Sequence, residues 1–355
     1  MSTIIAEYIW IGGVSSTDIR SKIKVMHDMP SNLTIDLFPE WNYDGSSTNQ
    51  AFGENTEIIL KPVRIYTNSS NKVYVLCDTY FVEELDNGFS EYVPTHNNHR
   101  FIANGYFSRD KRVNKDIIIG FEQEYVLFDG VRPLGWPTEN IVYRNNGGEL
   151  SLGEPVTQGS YYCGNGADVS VGREIMSEHI ETCLDYGVHL CGTNSEVLLG
   201  QWEFQIGAIE PVLCSDDLTM ARFLLYRIAE SKNISVSYDP KPVRGDWNGS
   251  GCHINISDIN MRIDYRYIEM AIENLAGRHI ETIQHYGRSN HLRLTGKHET
   301  SSMSEFTCGV GTRHTSIRIP YMTHHNRGGY FEDRRPAANI DPYEAVYRLV
   351  LNMYD

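Results

Sequence analysis

Residues 117–128 read Ile-Ile-Ile-Gly-Phe-Glu-Gln-Glu-Tyr-Val-Leu-Phe and are strongly β-forming. β-Branched and aromatic residues dominate it, so it predicts a strand. Successive side chains of a strand point to opposite faces, and Glu122 and Glu124 therefore face the same side. Two carboxylates this close repel one another unless a cation lies between them. The stretch thus predicts a strand that presents paired acidic side chains to a polar space.

Three further segments alternate strictly between apolar and polar residues: 201–206, 252–257 and 316–319. Each predicts a strand with one buried face and one polar face. A sheet face that meets only solvent needs no more than Lys, Thr and Ser. The polar faces here predict the lining of a cavity, since they carry Glu203, Gln205, His253, Asn255 and Arg318.

The acidic side chains suggest a divalent metal site. Glu196 and Glu203 flank a turn-like Val-Leu-Leu-Gly segment and can join Glu122 and Glu124. His253 offers a nitrogen ligand, and the mixed set suits Mg²⁺ or Mn²⁺. The alternative is an exposed acidic edge strand beside a histidine that has only a structural role.

Arginines gather near the C-terminus, in a stretch rich in Gly and Pro: Arg293, Arg313, Arg318, Arg334 and Arg335. A guanidinium grips carboxylates and phosphates. Beside clustered carboxylates the set suggests a triphosphate and its transferred phosphoryl group, although a surface salt-bridge cluster is the simpler alternative. The chain has no phosphate-binding loop of the Gly-x-x-x-x-Gly-Lys-Ser/Thr type, so bound ATP would lie in a sheet cavity.

The composition and charge of the chain indicate which partners and which cellular compartment to expect. The chain has 355 residues and a formal net charge of −15, which disfavours nucleic-acid and membrane partners. Its seven cysteines are scattered, which favours a reducing compartment. The N-terminus shows no basic, apolar leader pattern. We expect a cytoplasmic protein.

Two domains are predicted. The first spans residues 1–98 and consists mainly of short strands, and the polar linker 93–99 ends it. The second spans 99–355 and alternates helices with strands. Its predicted helices are 172–186, 216–231 with Ser215 as the capping residue, 265–285 and 342–354.

Several segments together match one known family. They are 41–47 (Trp-Asn-Tyr-Asp-Gly-Ser-Ser), 120–125, 192–197, 201–207, 241–257 (through Asp-Trp-Asn-Gly-Ser-Gly-Cys-His), 293–301 and 330–336 (Tyr-Phe-Glu-Asp-Arg-Arg-Pro). Their order and spacing follow those of the family along nearly the whole chain. The chain resembles the eukaryotic-type glutamine synthetases.

The resemblance implies a fold and an activity. The fold is α+β: a small N-terminal β-grasp domain, then a catalytic domain with a curved antiparallel sheet and flanking helices. The activity is ATP-dependent ligation of ammonia to the γ-carboxylate of L-glutamate through a γ-glutamyl phosphate. The resemblance also implies Mg²⁺ or Mn²⁺, at least two ions per active site. It further implies a homo-oligomer, usually two stacked pentameric rings, with active sites between subunits.

Roles for individual residues follow from the same resemblance. The two metals are held by Glu124, Glu196 and Glu203, and by Glu122, His253 and Glu332. Glutamate is bound by Asp246, Trp247, Asn248, Gly249, Arg293, Arg313 and Arg334. ATP is bound by Glu122, Glu203, Asn255, Ser257, Arg313 and Arg318. The catalytic set is Asp44, which takes a proton from ammonium, Glu299 on a flap that closes over the site, and Arg313.

Two alternatives stay open at the level of sequence. One is a non-catalytic relative with a structural role, which would have lost metal ligands. The other is a ligase that joins glutamate to a larger amine, which would have a different ammonium pocket. The chain departs from the family pattern at Gly12, at Asp246, where Asn is usual, and at Lys297, where an aromatic residue is usual.

Overall fold

Two β-sheets organise the chain. The computed structural model describes residues 2–85, 90–109, 116–137, 142–144, 150–152 and 158–354. The first sheet has the strand order β2-β1-β5-β4-β3, with β6 paired to β5. The β1–β5 pair is parallel and the other pairs are antiparallel. Its strands are β1 Ser2–Ile11, β2 Ile19–Met29, β3 Trp41–Asp44, β4 Glu57–Thr67, β5 Lys72–Glu84 and β6 Ser90–Pro94.

The second sheet carries the polar faces predicted from sequence. Its main path contains β7 Ile118–Asp129, β11 Leu190–Ser195, β12 Gln201–Ile209, β14 Cys252–Ser257, β15 Cys308–Val310, β16 Ile317–Ile319 and β17 Phe331–Asp333. Their order is β11-β12-β7-β14-β17-β16-β15. Two short strands, β8 Arg132–Pro133 and β13 Ser235–Ser237, also pair with β7. The β15–β16 pair is parallel, whereas the remaining pairs of this sheet are antiparallel. A separate hairpin joins β9 Val142–Arg144 to β10 Leu150–Leu152.

Helices pack on the apolar face of the second sheet and on one another. They are α1 His99–Arg109, α2 Arg173–Asp185, α3 Pro211–Ser231, α4 Ile259–Ile263, α5 Tyr265–Gly277, α6 His279–Ile283, α7 Tyr321–Asn326 and α8 Pro342–Tyr354. The sheet is contacted mainly by α2 and α3. The largest apolar core contains Phe121 and Phe204 from the sheet, Leu224 from α3 and Leu349 from α8. The apolar half of each alternating strand thus builds the core, which leaves the other half free for a site. The α+β architecture is confirmed.

The start of α3 differs from the prediction. The helix begins at Pro211, where the ring fixes a helical φ, and Glu210 is its capping residue. The Glu210 carboxylate accepts from the backbone N–H groups of Val212 and Leu213, at 3.2 and 2.7 Å. The expectation that Ser215 caps the helix is wrong, because its hydroxyl lies inside the helix and donates to the Pro211 carbonyl.

The predicted helix 265–285 is divided in two. α5 ends at Gly277, and α6 begins at His279 after Arg278 leaves helical geometry. Glycine late in a helix weakens continuation. The predictions 172–186 and 342–354 agree with α2 and α8 to within a residue or two.

The boundary at residue 98 stays a prediction. α1 begins directly after it, at His99. The largest core nevertheless crosses it, because Ile9, Tyr66 and Tyr74 of the first sheet lie in the same apolar cluster as Phe223 of α3. None of the helices that the structure describes is long and apolar enough to cross a membrane.

Candidate active site

Strand register places the acidic side chains of the second sheet beside one another. Glu122 of β7 lies opposite His253 of β14, and Glu124 lies opposite Glu203 of β12. On the far side of β14, Asn255 lies opposite Glu332 of β17. Directly opposed residues are close neighbours across a sheet. The spacing of two within each strand and the pairing between strands thus assemble one polar surface.

Three of these residues form a compact ligand set. Ligand atoms of Glu122, Glu203 and His253 all lie within 4.8 Å of one another. Nδ1 of His253 lies 3.3 Å from a Glu122 oxygen and 3.4 Å from a Glu332 oxygen. Glu124 stands on the other side of the ring, 3.9 Å from Nε2. Carboxylate oxygens and one imidazole nitrogen are donors that suit Mg²⁺ or Mn²⁺, and the residues therefore fit a divalent cation.

The electrostatics of the cluster favour a cation. Burial and the nearby Glu124 carboxylate raise the pKa of Glu196 to about 8. Burial, with Glu122 next in effect, holds the pKa of Glu203 well above its usual range. Burial also raises the pKa of Glu124, although Arg293 opposes the shift. Carboxylates in this state accept either protons or a metal ion.

Arg293 sets the protonation of His253. Its guanidinium Nη2 lies 2.9 Å from Nε2 of His253. A guanidinium only donates, so Nε2 is the acceptor and Nδ1 carries the proton of the neutral ring. Burial, reinforced by Arg334, holds the pKa of His253 well below its usual range. His253 is therefore neutral, with Nδ1 turned toward the carboxylates. Nδ1 would ligate a metal only in the other neutral tautomer, with the ring hydrogen on Nε2 and Arg293 moved off that nitrogen.

Arginines border the acidic cluster on its β16–β17 side. Nη1 of Arg334 lies 2.5 Å from one Glu332 oxygen, and Nη1 of Arg318 lies 3.1 Å from the other. Glu332 is 1% exposed, so both contacts lie in a poorly solvated place. Positive groups directly beside a cation site can hold an anion that also binds the cation.

Two glycines allow this close packing. A Cβ on Gly251 would lie 2.5 Å from Nη2 of Arg293 and 2.7 Å from Nε2 of His253. A Cβ on Gly249 would lie 2.3 Å from the Pro240 carbonyl oxygen and 2.8 Å from Cγ of Arg293. Side chains at these positions would push Arg293 away from His253.

A short loop, residues 295–302, lies at the edge of the cluster, and we call it the flap. A bridge between Thr295 and Ser302 closes its base. The Glu299 carboxylate lies 3.3 Å from Nη1 of Arg313. Arg313 also lies over the ring of Tyr162, 5.3 Å from its centroid. Glu299 and Arg313 are both about 40% exposed at their side chains, at 38% and 41%, so their ion pair is open to solvent.

Four of the predicted site residues stand apart from the acidic cluster. Trp247 is buried against Trp136, with ring centroids 4.9 Å apart. Asp246 is 92% exposed and contacts His298. Ser257 shares the polar face of β14, but its hydroxyl accepts from Arg262. Asp44 ends a strand of the first sheet, fully exposed.

Asp44 makes only local contacts among the described residues. Its carboxylate accepts from the backbone N–H and the hydroxyl of Ser46, at 3.0 and 2.7 Å. These hydrogen bonds lower the pKa of Asp44, with a smaller effect of Thr56. Asp44 is therefore ionised at neutral pH and exposed.

Residues that orient the acids were only partly predicted. Asn194, which sequence reasoning missed, donates to Glu196 at 2.9 Å, and Gln205, which it placed on the cavity face without a role, donates to Glu203. Both lie on strands next to the acids, so their position on the polar face was a usable signal. Tyr162 and Gln158 lie in a loop, where no periodicity points to a site.

Comparison with known proteins agrees with this geometry. A family model described as the glutamine synthetase catalytic domain matches residues 97–262. The chain is 44% identical over 347 residues to glutamine synthetase cytosolic isozyme 2 of Vitis vinifera, covering 96% of this chain and 91% of that one. It is 46% identical over 351 residues to chloroplastic glutamine synthetase of Brassica napus, covering 96% and 76%.

A solved structure shares the fold. The cryo-EM structure of Plasmodium falciparum glutamine synthetase matches with a TM-score of 0.72 at 16% identity, over 99% of this chain and 72% of that one. Identity above 40% along nearly the whole chain, together with the matched catalytic-domain family model, identifies the activity class. The chain belongs to the glutamine synthetase family, the glutamate–ammonia ligases.

Proposed function

We propose that the polar face of the second sheet carries out ATP-dependent glutamine synthesis through a γ-glutamyl phosphate. The observation that carries the proposal is the cluster of buried carboxylates around His253, bordered by arginines. The γ-carboxylate of glutamate is a poor electrophile, because its leaving group would be oxide. Phosphorylation by ATP supplies a good leaving group, and ammonia then displaces phosphate to give glutamine.

Two metal positions are proposed on this face. Glu124, Glu196 and Glu203 would hold one Mg²⁺ or Mn²⁺ ion, and a second set would hold another: Glu122, His253 and Glu332. The raised pKa values of Glu196 and Glu203 support the first position, since crowded carboxylates gain most from a cation. The metals would neutralise the phosphate oxygens that approach the substrate carboxylate.

Arginines would grip the anionic substrates. Arg293 and Arg334 would bind glutamate, with help from Asp246, Trp247, Asn248 and Gly249. Arg313 and Arg318 would bind the phosphates of ATP, beside Glu122, Glu203, Asn255 and Ser257. Burial lowers the pKa of Arg293 to about 10, a value at which it is still charged at neutral pH. Fixed positive groups oppose the repulsion between a carboxylate and a triphosphate.

Glu299 and Asp44 would form the ammonium pocket. Nearly all ammonia is protonated at neutral pH, so an anionic pocket both attracts the cation and removes its proton. Glu299 reaches the edge of the cluster on the flap, next to the catalytic Arg313. Asp44 lies on the first sheet and would act in the active site of a neighbouring subunit.

This arrangement requires a homo-oligomer, for which we propose stacked pentameric rings. The exposed, ionised Asp44 supports a shared active site, because its described contacts are local. We also propose that the N-terminal domain ends at residue 98 and the catalytic domain spans 99–355. A cytoplasmic location is proposed by analogy with the cytosolic Vitis isozyme, against which the chloroplastic Brassica relative is the counter-example.

The test is phosphate release and glutamine formation by the purified protein. ATP, Mg²⁺, glutamate and ammonium are each omitted in turn, and methylamine or ethylamine replaces ammonium in parallel. We expect one phosphate per glutamine, only when all four are present and with ammonium strongly preferred. Faster ligation of a larger amine would favour a different glutamate–amine ligase. A folded protein that is inactive with every metal would favour a structural relative.

A further inference from the structure

The flap residue His298 makes contacts that none of the proposed roles uses. Its Nε2 lies 2.9 Å from a carboxylate oxygen of Asp246. Its Nδ1 lies 3.0 Å from Nε2 of Gln158. The same Gln158 nitrogen donates to the side-chain oxygen of Asn248. One imidazole thus joins the flap to the turn at 158 and to residues 246–248, the loop before β14.

The contacts define which nitrogen of His298 carries the hydrogen. The Gln158 amide uses one hydrogen for Asn248 and directs the other at Nδ1 of His298, so Nδ1 accepts. Nε2 then carries the ring hydrogen and donates to Asp246. A carboxylate only accepts, so Asp246 matches this tautomer and no other. Both ring nitrogens of His298 thus have a hydrogen-bond partner.

The backbone of the flap is unusual at the same place. His298 and Glu299 have φ of 53° and 61°, two consecutive non-glycine residues in the left-handed region. Such a conformation persists only when surrounding contacts hold it. The Thr300 hydroxyl secures the turn from within, 2.8 Å from the Lys297 carbonyl oxygen. The His298 side chain secures it from outside.

We infer that His298 is a positioning residue, a latch that holds the flap on the loop of residues 246–248 and so fixes the Glu299 carboxylate. The inference rests on the proposed role of Glu299. The contact with Asp246 alone would contribute little, because Asp246 is 92% exposed. Hydrogen bonds to Asp246 on one side and to Gln158 on the other hold the ring in a single orientation.

The latch has a specific consequence for the reaction. A flap that closes correctly presents Glu299 to ammonium and keeps water from the acyl phosphate. With the latch removed, water attacks the acyl phosphate and returns glutamate and phosphate. ATP is then consumed without glutamine, which loss of a merely structural contact elsewhere would not cause.

The first measurement is the ratio of phosphate released to glutamine formed in His298→Ala. We expect glutamine formation to fall roughly 10- to 100-fold and the ratio to rise well above one, with the KM for ATP little changed.

Hydroxylamine is largely neutral at pH 7 and does not need the same proton removal. The reaction of His298→Ala with hydroxylamine should therefore lose less rate than its reaction with ammonium. Lys297→Ala is the matched control, since that exposed neighbour makes no side-chain hydrogen bond or ion pair with any residue that the structure describes.

A second variant breaks the latch from its exposed side. Asp246→Ala leaves the core intact and should raise the same ratio, whereas Asp246→Asn, which keeps an acceptor, should raise it less. The phosphate-to-glutamine ratio of the double variant with His298→Ala should be no higher than that of His298→Ala alone, because both changes remove one interaction. The proposed role of Asp246 in glutamate binding would appear separately, as a raised KM for glutamate. Additive increases in the ratio would contradict a shared latch.

Hydrogen exchange of the flap separates this inference from the proposed function. Amides of residues 295–302 should exchange faster in His298→Ala than in wild type or Lys297→Ala, whether or not the protein makes glutamine. Unchanged exchange, or a ratio that stays at one in an active His298→Ala enzyme, would overturn the latch. A wild-type protein without activity but with the exchange difference would overturn the proposed function, including the role of Glu299, and leave the latch itself supported.

Discussion

At the scale of single residues, Glu203 is the side chain that most directly links the site to the stability of the fold. Its carboxylate is buried, and burial together with Glu122 holds its pKa well above the usual range. A side chain in this position destabilises the metal-free fold when it ionises and becomes favourable only with a cation beside it. Function and stability therefore oppose one another at this residue.

Glu203→Gln should separate the two effects. We expect the metal-free variant to be more stable than wild type by roughly 1–3 kcal/mol, because one of several crowded acids becomes neutral. Synthetase activity should fall at least about 100-fold, because a metal ligand is lost. Denaturant unfolding in the presence of a chelator and a glutamine assay measure these effects.

The matched control is Glu273→Gln, an exposed acid on α5. It should change neither stability nor activity measurably. If Glu203→Gln instead lowered the stability of the metal-free protein, the carboxylate would have a structural partner and our electrostatic account of the cluster would be wrong.

Glu196 gives the cluster a pH dependence. Its pKa is 4.5 as a free side chain and about 8 in the folded protein, because of burial and Glu124. Between these values the metal-free folded protein binds more protons than the unfolded chain, so its stability should fall as the pH rises from about 4.5 to about 8. Saturating Mn²⁺ keeps the acids ionised and should weaken the trend.

Chemical denaturation across this pH range, with Mn²⁺ and with a chelator, measures the two slopes. Glu196→Gln should flatten the slope seen with the chelator. Equal slopes with and without metal would show that the carboxylates titrate without any linkage to metal binding.

At the scale of secondary-structure elements, the strands and the bounds of α2 and α8 were predictable, whereas the start of α3 and the break between α5 and α6 were not. The alternation of apolar and polar residues along each strand predicted which side chains lie on the polar faces: Glu203, His253, Asn255 and Arg318. That inference requires only that successive side chains of a strand point to opposite faces. The start of α3 was missed because Glu210 is a rarer cap than Ser215. Pro211, directly after Glu210, was the signal in the sequence that favoured the earlier start.

The contact between the starts of α1 and α8 gives an element-scale prediction. Nδ1 of His99 lies 2.9 Å from the Asp341 carboxylate and 3.9 Å from Glu344. Burial opposes the charged ring, but Asp341 and Glu344 together outweigh it and raise the pKa of His99 to about 9. A raised pKa stabilises the fold below about pH 6.5, and this contribution is lost as the pH rises through about 9.

His99→Gln should therefore cost roughly 1–3 kcal/mol of unfolding free energy at pH 6 and much less above about pH 10. Urea unfolding at the two pH values tests it. His96→Gln, an exposed histidine of the same linker, should behave like wild type at both. A cost of His99→Gln that is the same at both pH values would assign the effect to packing and not to charge.

At the scale of the whole molecule, our proposal assigns every site residue except Asp44 to one and the same chain. Composition and periodicity predicted the sheet cavity, the acidic cluster and the arginines that surround it. The role of Asp44 came only from the family resemblance, because a turn-like Asp-Gly-Ser-Ser segment has no pattern of its own. The pattern of apolar and polar residues in one chain does not indicate which residues act in the site of a neighbouring subunit.

Complementation between inactive subunits tests the shared site. Asp44→Ala and Glu203→Gln should each be inactive as homo-oligomers. Co-expressed at equal amounts, they should recover about a quarter of wild-type activity, because each site takes Asp44 from one subunit and Glu203 from its neighbour.

The control mixes Glu203→Gln with Glu332→Gln. Our proposal places both residues in the same half of the site, on one subunit. Every site of the mixed oligomer then carries one of the two substitutions. Recovery of about a quarter of the activity would require the two residues to come from different subunits. No recovery is expected for this pair. Recovery in the control, or none with Asp44→Ala, would contradict an active site shared as we propose.

The most direct test of ammonia ligation follows labelled nitrogen from ammonium into product. Wild-type protein with ATP, Mg²⁺, glutamate and ¹⁵N-ammonium should produce glutamine labelled at the side-chain amide, with one ADP and one phosphate per glutamine, and Glu203→Gln should produce almost none. A folded wild-type protein that yields no labelled glutamine, or a Glu203→Gln variant that yields as much as wild type, would contradict ligation of ammonia at the acidic face of the second sheet.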